Sequence, residues 1–517
     1  MIKLSLFYFK KTIKSPLLII ALVINIFLTT KIIGVLDTSL FKFTQVYYYA
    51  IICTNLFMLI STASIMSKNY EVLSFLERDK WRKVIVTLLS SIYITLALSI
   101  LPIGTMLIFN NSVTDMYFIK NAILHFLVIW MLSNILAAVI GSTAGLIIQN
   151  GFASVIAIVA YSLFLWESQK ITKGIFHRYI NIFDDHTFVE YNNLSGPIFN
   201  NAYIMDKIFL ILLIIFILLV AYSFYSYSKK LIYISLACIT LSALIFMVYQ
   251  GEKRQIIAKP QIFNNNDTSY NIKSYKMDLY LNKTLKNITN LTLQFNEDTT
   301  EIDLVLDDIF TLNELKIDKK SIDFQRKDDT LKIRSSFKKN QIIQLVIAYE
   351  GKINVENELG VNMYYVHDKT VNLPGDTFAW YPKPISSEQN KSIKFEVEIQ
   401  SPALIFSNID SKKEISKFLS GRATSLNLFA GNYKSIKQNN IQYIIPTSYD
   451  IDMFKESLNN TINILLGDHS NSFSESEKEM LKKKSYQKVL VGAWPYNTYY
   501  GDLELVGDTL LVKYIDY

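Results

Sequence analysis

The five histidines are the first residues to test for metal or acid–base chemistry: His125, His177, His186, His367 and His469. A hydrolytic zinc site on a helix needs the pattern HExxH, in which two histidines one turn apart hold the metal and the glutamate activates water. No histidine of this chain precedes a glutamate, and no two are four residues apart. His177 and His186 share a segment with Asp184 and Asp185. We expect that segment, and the other histidines, to hold no metal.

Other catalytic signatures are also missing from the sequence. The two cysteines, Cys53 and Cys238, lie inside apolar runs, and there is no GxSxG nucleophile motif. No Walker sequence GxxxxGK[ST] occurs either. We therefore predict no enzymatic activity for this chain and no cofactor. The net charge of +7 is scattered rather than gathered into a basic stripe, so nucleic acid is not an expected partner.

A charged segment between two apolar runs, Lys68–Lys83, is the strongest candidate for a partner site. Its charged and aromatic residues stand among several large apolar ones; they are Glu71, Glu77, Arg78, Asp79, Lys80, Trp81 and Arg82. A short amphipathic helix of this kind can bind a cytosolic partner while its apolar face contacts the membrane domain. A solvated loop stabilised by local ion pairs fits the same residues equally well.

The first half of the chain is predicted to be a bundle of about seven membrane-spanning helices. A crossing helix needs about 20 predominantly apolar residues, and most of the apolar runs approach or exceed this length. Half of all residues are hydrophobic, and the mean hydropathy is +0.23. The runs are Pro16–Ile33, Tyr47–Met66, Val84–Phe109, Ala122–Ile148, Phe152–Trp166, Ile208–Tyr225 and Leu231–Val248.

Charge around these runs predicts their orientation in the cell membrane. Lysine and arginine are enriched in cytoplasmic loops. Basic residues cluster before the first run, in Lys68–Lys83, and at Lys229 and Lys230. If the runs alternate, all three positions fall on one side, which we assign to the cytoplasm. The N-terminus is then cytoplasmic and everything after Gln250 is extracellular.

Polar residues inside the runs are few. No Asp, Glu, Lys or Arg lies deep in any run, and Asp206 and Lys207 are expected at an end where charge reaches water. Because ion-coupled transporters usually keep ionisable groups within the bilayer, this pattern argues against such a transporter. The histidine at 125 and the asparagines at 25, 55 and 134 are expected to form hydrogen bonds within the bundle. Gly141 and Gly145 form a GxxxG pattern that predicts close helix packing.

After Gln250 the pattern changes to the two-residue period of strands. Tyr275–Leu281, Leu291–Phe295, Ile302–Leu306, Thr330–Ile333, Ile342–Ala348, Lys394–Ile399 and Tyr443–Pro446 are predicted strands. Helices are predicted at Met453–Leu466 and Glu475–Lys484, and further strands at Lys488–Val491 and Thr509–Tyr514. The predicted domains are a transmembrane domain at 1–250, a β-sandwich or saddle at 251–434 and a partial α/β segment at 435–517.

Two resemblances to known families follow from this layout. Residues 1–230, with an interfacial N-terminal segment, two spans, a charged cytosolic segment and further spans, resemble the permease subunits of type-2 ABC exporters. That resemblance implies a separate cytosolic ABC ATPase, a second permease chain and the lipid bilayer as partners. It also implies that Lys68–Lys83 transmits ATP-driven movement.

Several short strings of the outer region resemble the N-terminal β-domain of the zinc aminopeptidase N family. They lie in order along the chain and include Tyr349, Gly351, Pro374, Gly375, Trp380, Tyr381, Pro382, Gly431 and Tyr433. The catalytic HExxH of that family is absent, so the resemblance implies a peptidase-like module without its own catalysis.

The leading hypothesis is therefore a permease subunit of an ATP-driven exporter, with peptide as the suggested substrate and a non-catalytic outer domain. A membrane-anchored binding or sensor protein is an alternative. Another is a truncated membrane-bound aminopeptidase completed by a second polypeptide that supplies HExxH.

Overall fold

The computed structural model describes most of the chain, and the chain divides into two compact units. The described residues are 9–10, 14–33, 40–68, 77–110, 115–148, 150–168, 175–183, 194–225, 229–254, 256–259, 269–357, 362–385, 392–409, 417–468, 473–492 and 503–512. One unit comprises residues 1–255 with 358–360, and the other comprises 256–357 with 361–517.

The first unit is helical throughout its described elements. Its helices are α1 (Pro16–Ile33), α2 (Leu40–Lys68), α3 (Glu77–Asn110), α4 (Met116–Ile147), α5 (Phe152–Ser168), α6 (Ile175–Ile180), α7 (Asn201–Tyr225) and α8 (Lys230–Arg254). Each of the seven predicted apolar runs lies within one of these helices, except that Ile148 lies one residue beyond the end of α4. Segments of five, α2, α3, α4, α7 and α8, are long and apolar enough to cross a membrane, whereas α1 and α5 are shorter apolar helices. Seven crossings and the outside location of the second unit remain predictions.

Four helices, α2, α3, α4 and α7, begin six or seven residues earlier than the apolar pattern predicts. Helix α3 starts at Glu77, and neither glycine nor proline interrupts it before Pro102. Helix α7 starts at Asn201, where the Asn200 side chain accepts a hydrogen bond from the Tyr203 amide at 2.8 Å and caps the helix. Hydropathy does not register these polar first turns.

Aromatic packing centres the core of the bundle. The rings of Tyr47 and Phe126 meet edge to face at 5.6 Å, and those of Phe126 and Trp130 at 5.3 Å. All three side chains are fully buried between α2 and α4. Such edge-to-face pairs add roughly 0.5–1.5 kcal/mol each beyond the burial of their area.

The second unit is built mainly from strands. They are β1 (Tyr270–Leu281), β2 (Leu285–Phe295), β3 (Thr299–Val305), β4 (Thr311–Ile317), β5 (Lys320–Ser321), β6 (Phe324–Lys327), β7 (Thr330–Phe337), β8 (Ile342–Gly351), β9 (Asn354–Glu356), β10 (Asn362–His367), β11 (Thr370–Leu373), β12 (Lys383–Pro384), β13 (Ile393–Gln400), β14 (Phe406–Ser407), β15 (Phe418–Ala423), β16 (Leu428–Ala430), β17 (Tyr433–Gln438), β18 (Ile441–Pro446), β19 (Lys488–Val491), β20 (Leu503–Val506) and β21 (Thr509–Val512).

Three sheets form the β-rich part of this unit. Their strand orders are β15-β13-β1-β2-β8-β4-β5, β14-β16-β11-β10-β9 and β12-β3-β7-β6. Alternate residues of β1, β2 and β8 are buried, as the two-residue period predicts. The rings of Tyr275 and Phe395 stack at 5.0 Å across the parallel pair β1–β13. The predicted β-rich region is therefore confirmed as a set of several sheets.

The end of the chain forms a mixed sheet, β17-β18-β19-β21-β20, with helices α9 (Ile451–Asp468) and α10 (Glu475–Lys483). A capping box joins Ser474 and Glu477 at the start of α10. One face of the sheet packs with Phe454 of α9. The other face places Leu490 and Leu511 in the core of the β-rich part, so both faces of this sheet are buried.

Candidate functional site

The charged segment is continuous with a membrane helix. Residues Glu77, Arg78, Asp79, Lys80, Trp81 and Arg82 form the first turns of α3, while Glu71 lies outside the described residues. The adjacent Lys83 is buried, and its Nζ donates to the Ile65 carbonyl of α2 at 3.2 Å. This bond satisfies a carbonyl in the last turn of α2, where a positive charge is favourable. The charged turns are therefore attached to both α3 and α2.

The two glycines of the GxxxG pattern lie against α2. A methyl group at Gly141 would lie 2.2 Å from the Leu59 carbonyl oxygen, and one at Gly145 would lie 2.6 Å from the Ala63 carbonyl oxygen. Both acceptor atoms belong to a helical backbone and cannot rotate away. Residues 141 and 145 thus set the separation of α2 and α4.

Buried amides connect the helices, as predicted for positions 25, 55 and 134. Asn25 Nδ2 donates to the Leu98 carbonyl at 3.1 Å, and Asn55 Nδ2 donates to the Tyr161 hydroxyl at 2.7 Å. Asn134 Nδ2 donates to Thr95 Oγ1 at 2.6 Å. These three bonds link three pairs of helices, α1 with α3, α2 with α5 and α4 with α3, through polar contacts that lipid could not replace.

The expectation that Asp206 and Lys207 reach water is wrong. Because α7 begins at Asn201, both residues fall in its second turn and are buried, with 4% and 7% of their surfaces exposed. Asp206 Oδ2 accepts from Arg178 Nε at 3.3 Å, and Lys207 Nζ lies 4.9 Å from the Tyr203 ring centre. A carboxylate therefore lies inside a candidate span, and the basic residue that compensates it comes from α6.

His125 is a hydrogen-bonded bundle residue, as predicted. It is buried on α4, and its Nδ1 lies 2.9 Å from the Tyr203 hydroxyl of α7. His367 pairs with Asp368 at 3.3 Å in the hairpin of β10 and β11. His186 and His469 lie outside the described residues, as do Asp184 and Asp185.

The peptidase-like strings of the second unit converge on one buried loop, Pro374–Lys383. Tyr349 Oη donates to the Trp380 carbonyl at 3.0 Å, and Tyr275 Oη donates to the Pro382 carbonyl at 2.8 Å. The Tyr381 hydroxyl accepts from the Leu426 amide at 3.1 Å. Burial raises the pKa of these tyrosines, so they stay neutral donors and acceptors.

The glycines of these strings permit close approaches. The Gly375 amide donates to Asn427 Oδ1 at 2.6 Å, and a methyl group at position 375 would lie 2.1 Å from the Leu426 carbonyl oxygen. A methyl group at Gly351 would lie 2.8 Å from the Phe310 ring.

The last string anchors the terminal sheet. After Gly431, the Tyr433 hydroxyl donates to the Val491 carbonyl at 2.7 Å and so connects β17 with β19. The strings thus form structural contacts in the described part of the second unit.

Lys383 is the residue of this loop that sequence analysis missed. It is buried on the edge strand β12, and its Nζ donates to the Gly375 carbonyl. Burial lowers the pKa of this amine to about 7, although the nearby Asp376 opposes the shift. The sequence shows only that residue 383 is a lysine, and most lysines in proteins are exposed at the surface rather than buried.

Three acidic side chains, Asp307, Asp308 and Asp329, lie close enough together to hold a cation. Lys259 already lies among them, 2.6 Å from Asp308 Oδ2 and 3.6 Å from Asp329 Oδ1. Burial raises the pKa of the Asp307 carboxyl to about 6. The lysine compensates the group without a metal.

Comparison with known proteins places zinc metallopeptidases among the structural neighbours. No family model matches the chain, and no curated protein matches it. An M1 zinc metallopeptidase from Deinococcus radiodurans is similar with 11% identity and a TM-score of 0.33, over 50% of this chain and 63% of that one. A variant of that enzyme bound to a Tyr-Ser-Ala substrate gives 10% identity and a TM-score of 0.32, over 49% and 63%. The likeness is distant, and this chain spans less than two thirds of those enzymes.

Proposed function

We propose that the chain is a permease subunit of an ATP-driven exporter, and that a separate ABC ATPase acts on the charged start of α3. The observation that carries this proposal is the continuity of Glu77–Arg82 with a helix long and apolar enough to cross a membrane. A force on these turns enters the bundle directly, without a flexible connection to α3.

Two contacts connect the charged start of α3 with the rest of the bundle. Lys83 fastens the start of α3 to the end of α2 through the Ile65 carbonyl. Gly141 lies against the Leu59 carbonyl of α2, so α4 follows α2 at close range. Because packed helices shift as rigid bodies rather than deform, movement of α3 would displace α2 and α4 together.

The second unit is proposed to be a non-catalytic module that holds peptide outside the membrane. Its support is the absence of HExxH from the sequence and the structural use of the peptidase-like strings. Peptide as cargo is proposed from the resemblance alone. The purified chain should release no amino acid from a set of aminopeptidase substrates, with or without added zinc. Zinc-dependent release would favour the peptidase alternative.

The test of the permease proposal is reconstitution of the full chain in nanodiscs with the ATPase subunit encoded nearest to its gene. The pair should bind, and the chain should change the rate of ATP hydrolysis. Neutralising Glu77, Arg78 and Asp79 with Gln, Gln and Asn should weaken binding at least tenfold. The matched control neutralises the exposed pair Lys229 and Lys230 with Gln and should leave binding unchanged.

A Lys83→Met variant separates binding from transmission. It should bind the ATPase normally, because residues 77–82 are intact, but lose the change in ATP hydrolysis. A chain that binds no ATPase would refute the exporter function and favour a membrane-anchored binding protein. Full activity in the neutralised variant would refute the assigned coupling segment.

A further inference from the structure

The short helix α6 packs on two long helices at once. Its buried residues Ile175 and Tyr179 belong to a cluster with Phe209 of α7 and Leu244 of α8. The rings of Tyr179 and Phe209 stack at 4.8 Å. The Tyr179 hydroxyl donates to the Met247 carbonyl of α8 at 3.4 Å. Helix α6 therefore bridges the beginning of α7 and the end of α8.

An ion pair fixes α6 in this position. Arg178 Nε lies 3.3 Å from Asp206 Oδ2, and the side chains are only 12% and 5% exposed. The second carboxylate oxygen of Asp206 is buried and has no hydrogen-bond partner among the described residues. Removing the arginine would leave a charge unpaired inside an apolar bundle, which is strongly unfavourable.

Helix α6 packs closely against α8 at Gly251. A methyl group there would lie 2.4 Å from the Tyr179 hydroxyl and 2.8 Å from Ile175 Cγ1. A side chain at 251 would force the Tyr179 and Ile175 side chains to shift, and a large one such as leucine needs space that α6 now occupies.

Helix α8 is the least buried of the long apolar helices among the described residues. Only 11% of its most apolar window is buried, compared with 44–61% for the other four. It ends at Arg254, and the second unit begins at Ile256.

We propose that α6 is a detachable clamp that holds the end of α8 against α7. With six residues, α6 is too short to be stable as an isolated helix, so docking and helix formation are one event. The clamp thus has two states: docked and helical, which the Arg178–Asp206 ion pair favours, or released and unfolded. Release frees the end of the helix that leads into the second unit. This inference rests on packing within the bundle and holds whether or not an ATPase drives the protein.

Hydrogen exchange of the full chain in nanodiscs tests the clamp. Gly251→Leu should accelerate amide exchange at least tenfold in both 175–180 and 244–254, while α2 and α4 stay protected. The matched control is Gly104→Leu, at a helical glycine with no neighbouring atom within 4 Å. It should leave both segments unchanged.

Charge variants provide a second readout that does not depend on Gly251. Arg178→Asp and Asp206→Arg should each accelerate exchange in the two segments, and the double variant should restore protection. If Gly251→Leu fails to insert, these three variants decide the question. Faster exchange in 175–180 with unchanged protection in 244–254 would overturn the proposal, because α6 would then rest on α8 without holding it.

Discussion

Replacing Lys383 by methionine should stabilise the second unit below pH 7. The pKa of this lysine falls from 10.5 to about 7 because the amine is buried. At roughly 1.4 kcal/mol per unit of pKa, enclosing the charged form costs about 5 kcal/mol. Methionine has a similar length and no charge, but it leaves the Gly375 carbonyl without this donor. That loss costs about 1–3 kcal/mol, so a net gain of about 3 kcal/mol is expected at pH 6.

The pH dependence is the distinguishing feature of this prediction. Below pH 7 the amine is charged in both the folded and the unfolded chain, so the cost of burial is fully present. Between about pH 7 and 10.5 the unfolded chain binds more protons than the folded one, so the stability of the natural protein rises with pH. The advantage of Lys383→Met should therefore shrink above pH 7, and at high pH the lost hydrogen bond should make the variant the less stable protein.

Hydrogen exchange of peptides covering residues 373–385 measures this effect in the full-length protein. At each pH the variant is compared with the natural protein, so the intrinsic pH dependence of exchange cancels. Lys394→Met is the matched control, since that side chain is 52% exposed and its removal should change little. A difference between Lys383→Met and the natural protein that stays constant from pH 6 to pH 9 would refute the lowered pKa.

Three further substitutions test other parts of the chain. Asp307→Asn should raise the stability of the second unit at pH 7–8 but not at pH 4. In the folded protein the pKa of Asp307 is raised to about 6, so the natural protein loses stability as the pH rises through that value and the carboxyl becomes charged. Denaturant titration at both pH values measures this, and an equal effect at both would contradict the raised pKa. Gly141→Ala should lower the melting temperature of the bundle, since the Leu59 backbone cannot yield. Gly104→Ala, with open space around it, should leave that temperature equal or slightly higher; equal losses in the two variants would mean that helix packing is not the cause. Gly375→Ala should lower the free energy of unfolding by about 3 kcal/mol or more, because the added methyl group meets the Leu426 backbone. Gly467→Ala is the control, at a position with no atom within 4 Å, and should not destabilise the protein. Denaturation followed by circular dichroism measures both; a small loss in Gly375→Ala would mean that the loop can move and would contradict the prediction.

The peptidase-like strings illustrate how similar residues can serve structure rather than chemistry. Tyr349, Trp380 and Tyr381 belong to the strings that resemble a peptidase domain. In the fold all three are buried; the Tyr349 hydroxyl donates to the Trp380 carbonyl, and the Tyr381 hydroxyl accepts from the Leu426 amide.

The sequence by itself determined the elements whose pattern is continuous. Apolar runs located all the long helices of the first unit, and alternation located strands such as Ile342–Gly351, because burial on one side leaves a direct trace in residue order. It missed several other strands, among them Thr311–Ile317 and Thr370–Leu373. All four residues of Thr370–Leu373 are buried, so no alternation marks that strand.

Only the tertiary structure decided what surrounds each charge. Asp206 sits near a helix start in the sequence, where solvent exposure is the natural expectation, yet Arg178 from a separate helix covers it. Lys383 and Lys394 are the same residue type eleven positions apart, but one is enclosed and the other exposed. The physical reason is that burial depends on segments distant in sequence, and a residue's own neighbours along the chain carry no record of them.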